Sequence, residues 1–258
     1  MNKKRWITFD LDGTLMQNPF GAWVFPEIAA AVSGRLGRPH DVVAEMVAEH
    51  ETRMGSGRYV EAYDWDDILR GRFRELGLSD PFEIEGLVRK HSVYPKVRLL
   101  EGGIQEALTE LRDRGYSLAA VTNGFYKFQA PVMEALGILD LFEEVVTPER
   151  AGAGKPDPAI LRQLDGRIVA HVGDRLDHDV QLANRSRIAG LLIDRNLPEE
   201  LKAISADRRV QDSRGIRLLL NKGKREDKKA TWDVLPNELL PAAMIHSVHE
   251  IQGIVDAM

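Results

Sequence analysis

Cysteine is absent from all 258 residues, which removes disulfides, thiolate metal sites and cysteine nucleophiles together. A basic excess is lacking as well: 35 Lys and Arg stand against 40 Asp and Glu, for a net charge of −5. Nucleic acid is therefore not expected as a dedicated partner, because a phosphate backbone is held chiefly by cationic side chains. No apolar run approaches the ~18 residues that a membrane span needs. The stretch Met1-Asn2-Lys3-Lys4-Arg5 is basic, but the apolar run behind it meets Asp10, too soon for the apolar region of a signal peptide. No membrane partner and a cytoplasmic location are the expectation.

What is present is an ordinary globular balance. Hydrophobic residues make up 43% and charged residues 29%, which argues against wholesale disorder. A single domain typically takes ~100–200 residues, so one full core plus a smaller second unit is expected.

Trp6-Ile7-Thr8-Phe9 is a short β-prone run that ends in Asp10-Leu11-Asp12-Gly13-Thr14, the pattern of a buried strand running into a turn. From about 20 to 95 no convincing strand follows. Val42, Val43, Met46, Val47 and His50, then Ile68, Leu69, Phe73 and Leu76, fall on faces at helical spacing. Gly55-Ser56-Gly57-Arg58-Tyr59 reads as a flexible link between those helices.

Beyond about 97 the rhythm changes. Ile104, Ala107, Leu108 and Leu111 describe a helix closed by Gly115. Strands are expected at 117–121, 144–146, 168–172 and 190–193, with helices at about 127–136, 158–164 and 179–187. This alternation predicts an α/β fold, a doubly wound, parallel, Rossmann-like sheet covered on both faces. The core is discontinuous, 1–15 joined to 96–258, with a helical section at 16–95 inserted after the first strand. The charge run from Lys222 to Lys229 reads as a solvated loop.

In such a sheet ligands bind at the carboxyl ends of the strands, and those ends carry the reactive residues. The first strand ends in Asp10 and Asp12, the second in Thr122-Asn123-Gly124, and the strand at 168–172 in Gly173-Asp174-Arg175-Leu176-Asp177-His178-Asp179. Gly154-Lys155-Pro156-Asp157-Pro158 lies in a loop leading to the same edge. Carboxylates from Asp10, Asp12 and Asp174 are hard oxygen ligands suited to Mg²⁺. Lys155 adds a fixed positive charge, and Thr122 and Asn123 add donors for phosphoryl oxygens. A cation, a lysine and oriented donors around an anionic nucleophile are what phosphoryl transfer requires.

These four motifs, in this order, resemble those of the haloacid dehalogenase superfamily in its phosphatase branch, whose first motif is Asp-x-Asp-x-Thr. The resemblance implies Mg²⁺-dependent hydrolysis of a small phosphorylated metabolite, a phosphate monoester, through an aspartyl-phosphate. It makes Asp10 the nucleophile and a metal ligand. It makes Asp12 the general acid/base, binding metal through its backbone carbonyl. Thr122 and the Asn123 amide would bind the phosphoryl group, Lys155 would neutralise its charge, and Asp174 would complete the metal site. Asp179 would orient Lys155 or a metal-bound water, with Asp177 as the alternative for that place. The section at 16–95 resembles the family's helical cap.

Other residues read differently. His171, inside an apolar strand, is expected to be a satisfied core histidine, and His178 to be solvated. Tyr59, Tyr63 and Trp65 either pack the helical section or face substrate, and Phe125, Tyr126 and Lys127 either pack or touch it. A 2-haloacid dehalogenase lacks the second aspartate of the first motif, so Asp12 argues against that reaction. A phosphomutase would keep Asp12, and a non-catalytic phospho-ligand-binding module stands as the alternative of another class. Monomer and homodimer are both open. After the fourth motif, Gly190-Leu191-Leu192-Ile193 and Gly215-Ile216-Arg217-Leu218-Leu219-Leu220 compete for one strand role, and Met244 to Ile251 reads as the closing piece. An insertion within about 195–240 has no assigned role.

Overall fold

The strand expected at the start of the chain lies in the middle of the sheet. It is β1 (Arg5–Phe9), followed by β2 (Met16–Gln17), β3 (Arg98–Leu99), β4 (Ser117–Val121), β5 (Glu144–Val146), β6 (Arg167–Gly173), β7 (Ala189–Ile193) and β8 (Ala243–Ile245). The structure, a computed structural model, describes residues 3–258. Six strands form one sheet in the order β5-β4-β1-β6-β7-β8, with every neighbouring pair parallel. Parallel neighbours need crossover connections, and helices Tyr126–Ala135 and Gln181–Ser186 supply those from β4 to β5 and from β6 to β7.

Successive residues of a strand face opposite sides. Ile7, Phe9, Leu118 and Ala120 join one buried cluster, whereas Trp6, Ala119 and Val121 join another. Both faces of the sheet are thus covered, which is why β4 is buried along its whole length instead of alternating. From β1 the chain moves outward through β4 and β5, then returns to β6 on the other side of β1. The crevice between the carboxyl ends of β1 and β6 is therefore the switch point where such sheets bind ligands.

β2 and β3 form a small antiparallel ribbon, pairing Met16 with Leu99 and Gln17 with Arg98. Between them lie helices Phe25–Leu36, Val42–Gly55, Tyr59–Ala62, Trp65–Glu75 and Ile84–His91. Asp41 and Asp64 start two of these by accepting hydrogen bonds from the backbone N–H groups of Ala44 and Asp67. Buried Asp66 accepts from the Ile84 N–H and from the Lys127 ammonium. It thereby joins two inserted helices to each other and to helix Tyr126–Ala135. Gly55 and Gly57 sit where helix Val42–Gly55 turns into Tyr59–Ala62. The expected flexible link is a turn within the helical section, not the β2–β3 passage.

Several expectations need correction. Residues 158–164 form only a short 3-10 turn, Pro158–Leu161. Gly215 to Leu220 is not a strand but part of helix Ser213–Glu226. Its run of consecutive leucines imitates a buried strand, yet the buried positions are Gly215, Leu219 and Gly223, spaced by helical turns. The strand role belongs to β7 alone. The run from Lys222 to Lys229 is not simply a solvated loop, because it begins inside that helix and contains Glu226, which is 9% exposed at its side chain.

The segment between β7 and β8 thus forms the crossover to the last strand, with a core that includes Leu197, Leu201, Val210, Leu219, Leu235 and Leu239. No helix among the described residues is long and apolar enough to cross a membrane.

Arg209 pins that segment to the sheet. It is 2% exposed and donates to the carbonyls of Leu201 at 2.9 Å, Lys202 at 3.1 Å and Met244 at 2.8 Å, while pairing with Glu250 at 2.7 Å. Removing the guanidinium strands buried acceptors at ~1–3 kcal/mol each. Arg209→Met is expected to lose about 3 kcal/mol of unfolding free energy, read as a lower urea midpoint at unchanged slope.

Candidate active site

The carboxyl ends of β1, β4 and β6 and the loop before Pro158 bring the expected residues to one place. Asp10, Asp12, Thr122, Asn123, Lys155 and Asp179 line one pocket. Asp10, Asp174 and Asp179 each offer a carboxylate oxygen within 4.8 Å of the others. The Asp10 N–H donates to the Val172 carbonyl at 2.8 Å, extending the β1–β6 pairing and placing the side chain at the strand end. The chain then turns tightly, with Thr14 and Leu15 both donating to the Leu11 carbonyl. Gly13 makes the turn at φ +84, and a Cβ there would lie 2.7 Å from an Asp174 oxygen. Backbone conformation and close approach both demand glycine. At Gly173 a Cβ would overlap the Asp179 carboxylate, so that residue too must lack one.

Lys155 is the hub. It is 2% exposed, and its ammonium donates to Asp10 Oδ1 at 2.5 Å and to Asp179 Oδ1 at 2.7 Å. Its loop is braced from β4: Asn123 Nδ2 donates to the Lys155 carbonyl at 3.0 Å, and Asn123 Oδ1 accepts from the Lys155 N–H at 2.7 Å. The brace takes the Asn123 amide oxygen and one of its two amide N–H groups. Thr122 Oγ1 accepts from the Gly124 N–H at 3.1 Å, so its hydroxyl proton still points to a partner elsewhere.

Asp179 is saturated by its neighbours. Besides Lys155 it accepts from His171 Nε2 at 3.1 Å and from the Arg175 N–H at 3.0 Å. Burial alone would raise its pKa, but Lys155 and His171 reverse this and hold the carboxyl well below the usual range. It orients Lys155. Asp177 does not compete for that place, because both its oxygens are taken by the Arg175 guanidinium at 2.9 and 2.7 Å. His171 is satisfied inside the core, facing Thr8 Oγ1 at 2.8 Å. His178 is not solvated as expected; its side chain is 13% exposed and lines the pocket.

Oxygen donors remain for a cation. Thr14 Oγ1 donates to Asp10 Oδ2 at 3.1 Å and lies 3.5 Å from Asp174 Oδ1, between the two carboxylates. Burial, then repulsion from Asp10 and Asp179, pushes the Asp174 carboxyl up to about 7. Burial also raises Asp10, against the pull of Lys155. Carboxylates that resist sharing negative charge, with no nitrogen or sulfur among them, fit a hard divalent ion.

The Asp12 side chain points elsewhere. Oδ2 accepts from Gln129 Nε2 at 2.8 Å, and Oδ1 is buried with no hydrogen-bond partner among the described residues. Burial pushes this carboxyl up to about 6.

Gln129 was missed by sequence reasoning, as was Arg195. The Arg195 guanidinium donates to the Thr14 carbonyl at 2.7 Å and to Glu101 at 3.1 Å, bracing the turn after β1. Arg195 follows β7 on the same sheet edge as the motifs, and that position was its only signal. Of the aromatic candidates, Tyr63 and Trp65 line the pocket. Tyr59 instead packs over Gly154, Phe125 is buried, and Lys127 is engaged by Asp66.

A family model described as haloacid dehalogenase-like hydrolase matches residues 4–186. The chain belongs to that family. It is 30% identical over 194 residues to a phosphoglycolate phosphatase of Pasteurella multocida, a match covering 67% of this chain and 79% of the relative. A glyceraldehyde 3-phosphate phosphatase of Methanopyrus kandleri is 28% identical over 157 residues, covering 52% of this chain and 67% of the relative. Among solved structures, a haloacid dehalogenase-type phosphatase from Thermococcus onnurineus superposes with a TM-score of 0.65 at 22% identity, over 97% of both chains. That likeness concerns the fold. Within a haloacid dehalogenase-like hydrolase, the matched region spans all four motifs but stops before the segment between β7 and β8.

The acidic cluster makes the metal-free protein sensitive to pH. Asp174 keeps its proton up to about 7 in the folded chain, against an ordinary value of 3.8. The fold therefore binds more protons than the unfolded chain between those values. That contribution to stability is full below 3.8 and lost as pH rises through about 7. Asp12, pushed up to about 6, acts in the same direction. In chelator, the thermal midpoint is expected to fall between pH 5 and pH 8. Added Mg²⁺ should raise it more at pH 8 than at pH 5. Equal midpoints with and without Mg²⁺ at pH 8 would remove the cluster from metal binding.

Proposed function

We propose that the protein hydrolyses small phosphate monoesters with Mg²⁺, through an aspartyl-phosphate on Asp10. The observation that carries this reading is the contrast between the two carboxyls of the first motif. Asp10 meets a buried ammonium at 2.5 Å, whereas Asp12 meets only an amide and is pushed up to about 6. Two carboxyls of one motif with different partners, an ammonium for Asp10 and an amide for Asp12, suit nucleophilic and acid–base roles respectively.

Asp10 attacks phosphorus with a carboxylate oxygen, and the bond from phosphorus to the leaving alcohol breaks. Asp12 gives its proton to the departing oxygen and becomes a carboxylate. It then takes a proton from water, whose oxygen attacks the same phosphorus. The bond to Asp10 breaks, inorganic phosphate leaves, and both carboxyls return to their starting states. Lys155 neutralises charge on Asp10 throughout, while the Thr122 hydroxyl and the Asn123 N–H hold phosphoryl oxygens. Asp10, Asp174 and the Asp12 carbonyl would hold Mg²⁺, which when bound supplies further charge neutralisation on the phosphoryl group.

The helices between β2 and β3 act in this reading as a cap over the core formed by 1–15 and 96–258. Phe20, Phe25, Tyr63 and Trp65 from that section line the pocket, so it closes the site against water. The names of the relatives, phosphatases of small phosphorylated acids and aldehydes, agree in reaction class. A dehalogenase reading finds no use for a proton donor at Asp12.

Phosphate release from an aryl phosphate, with and without chelator, tests the reaction itself. Asp12→Asn tests the mechanism, because the amide keeps the shape but cannot carry a proton. Its turnover should fall by ~10²–10⁴, while Mg²⁺ still raises its thermal midpoint. With an aryl leaving group the second step suffers more than the first. Rapidly quenched protein should then show one added phosphoryl group by mass, and normal turnover by the folded variant would take Asp12 out of the mechanism.

A further inference from the structure

The lining of the pocket combines charged groups with a set of aromatic rings. Phe20, Phe25, Trp65 and Phe128 stand opposite the carboxylates in a cavity of about 250 Å³. Phe20 meets Phe25 and Phe128 edge to face, each at 5.5 Å between ring centres, and Phe25 meets Trp65 in the same way at 5.1 Å. Trp65 is backed by the stacked ring of His50 at 5.0 Å, which fixes its plane. Rings locked against one another in this way form a preset apolar surface. The neighbouring polar groups include the Asn18 and Gln129 amides, the Tyr63 hydroxyl and the ring of His178. Burial lowers His178 to about 4, leaving the ring uncharged near neutral pH.

Both cations of the lining are paired with carboxylates. Lys155 is held by Asp10 and Asp179, and Arg175 is forked onto Asp177 by two hydrogen bonds of 2.9 and 2.7 Å. No other lysine or arginine lines the pocket among the described residues. A carboxylate on the leaving alcohol would give up water against aromatic rings and neutral polar side chains such as Asn18, with both lining cations already paired to carboxylates. A flat ring would instead exchange water for ring contacts.

We propose that the alcohol part of the substrate is a flat, uncharged aromatic or heteroaromatic group seated against Phe20, Phe25, Trp65 and Phe128, and not a short carboxylic acid. This rests on the phosphomonoester reading above. The pocket selects by what it lacks as much as by what it has. Phosphoglycolate, whose leaving alcohol bears a carboxylate, is a poor fit.

The test compares kcat/KM with Mg²⁺ for benzyl phosphate, a nucleoside 5′-monophosphate, glycerol phosphate and phosphoglycolate. Each releases an alkyl alcohol, so the comparison reads binding of the leaving group more than its intrinsic departure. At least one of the two ring-bearing esters should exceed phosphoglycolate by on the order of 10-fold or more, as expected for contacts of one ring with aromatic side chains. Benzyl phosphate and the nucleotide distinguish a pocket for a bare ring from one for a nucleoside. Trp65→Ala should lower the ratio of the better ring ester to glycerol phosphate by about 10-fold. Phosphoglycolate matching or exceeding both ring esters would overturn the inference, as would an unchanged ratio in folded Trp65→Ala. Failure to release phosphate from any of the four would overturn the phosphatase reading itself.

Discussion

An ammonium group cut off from water must be surrounded by negative charge, and the catalytic edge is arranged around that requirement at Lys155. Asp10 comes from the end of β1 and Asp179 from beyond β6, while Asn123 from the end of β4 grips the lysine backbone. One residue, through its side chain and its backbone, thus ties together three strand ends. Behind it, Asp179 is held by His171, and His171 by Thr8 from the centre of β1. Two carboxylates surround one cation, and Asp174 adds a third within 4.8 Å of both. That residual negative charge is what a divalent ion would neutralise, and it explains why the same cluster both fits a metal and weakens the fold without one.

The sheet and the motifs were legible because each left a local mark. β1 shows as an apolar run stopped by Asp10, and β4 and β6 show in the same way before Thr122 and Asp174. Parallel strands buried on both faces are short and apolar, and the polar residue that ends each one stands out. The topology rule that ligands gather at these ends did the rest. Gly13 was visible as a turn glycine, but the closeness of Asp174 that also demands it was not, nor was the closeness of Asp179 that demands Gly173.

What escaped was set by distant partners. Gln129 lies 117 residues from the Asp12 that it grips, and Arg195 lies 181 from Thr14. A lone polar residue on a helix face carries no periodic signal that tells a brace from a surface position. Ser213–Glu226 was misread for a different reason. Its apolar residues are consecutive, which resembles a strand, while its burial depends on glycines at 215 and 223 that hydropathy does not register. His178 sits among acidic residues that suggest exposure, yet its side chain is 13% exposed, close to His50 and Tyr63 from the helical section after β2.

That segment belongs to the site more closely than an appended crossover would. Glu226, at the end of helix Ser213–Glu226, accepts from the backbone N–H groups of Leu176 at 2.8 Å and Asp177 at 3.3 Å. Those N–H groups open the turn that carries Asp174 to Asp179. Lys222, one helical turn earlier, pairs with Glu226 at 3.0 Å and opposes the desolvation that raises this carboxyl. The loop that delivers Asp174 and the partner of Lys155 is thus closed from behind by residues beyond the region the family model matches. Arg195 performs the same service for the turn after β1, from the start of the same segment. The two halves of the acidic cluster, one on each strand flanking the switch point, are therefore both held by the part of the chain whose role the motifs did not reveal. Pairing of β1 with β6 sets Asp10 beside Asp174, and that segment braces the turns that follow both strands.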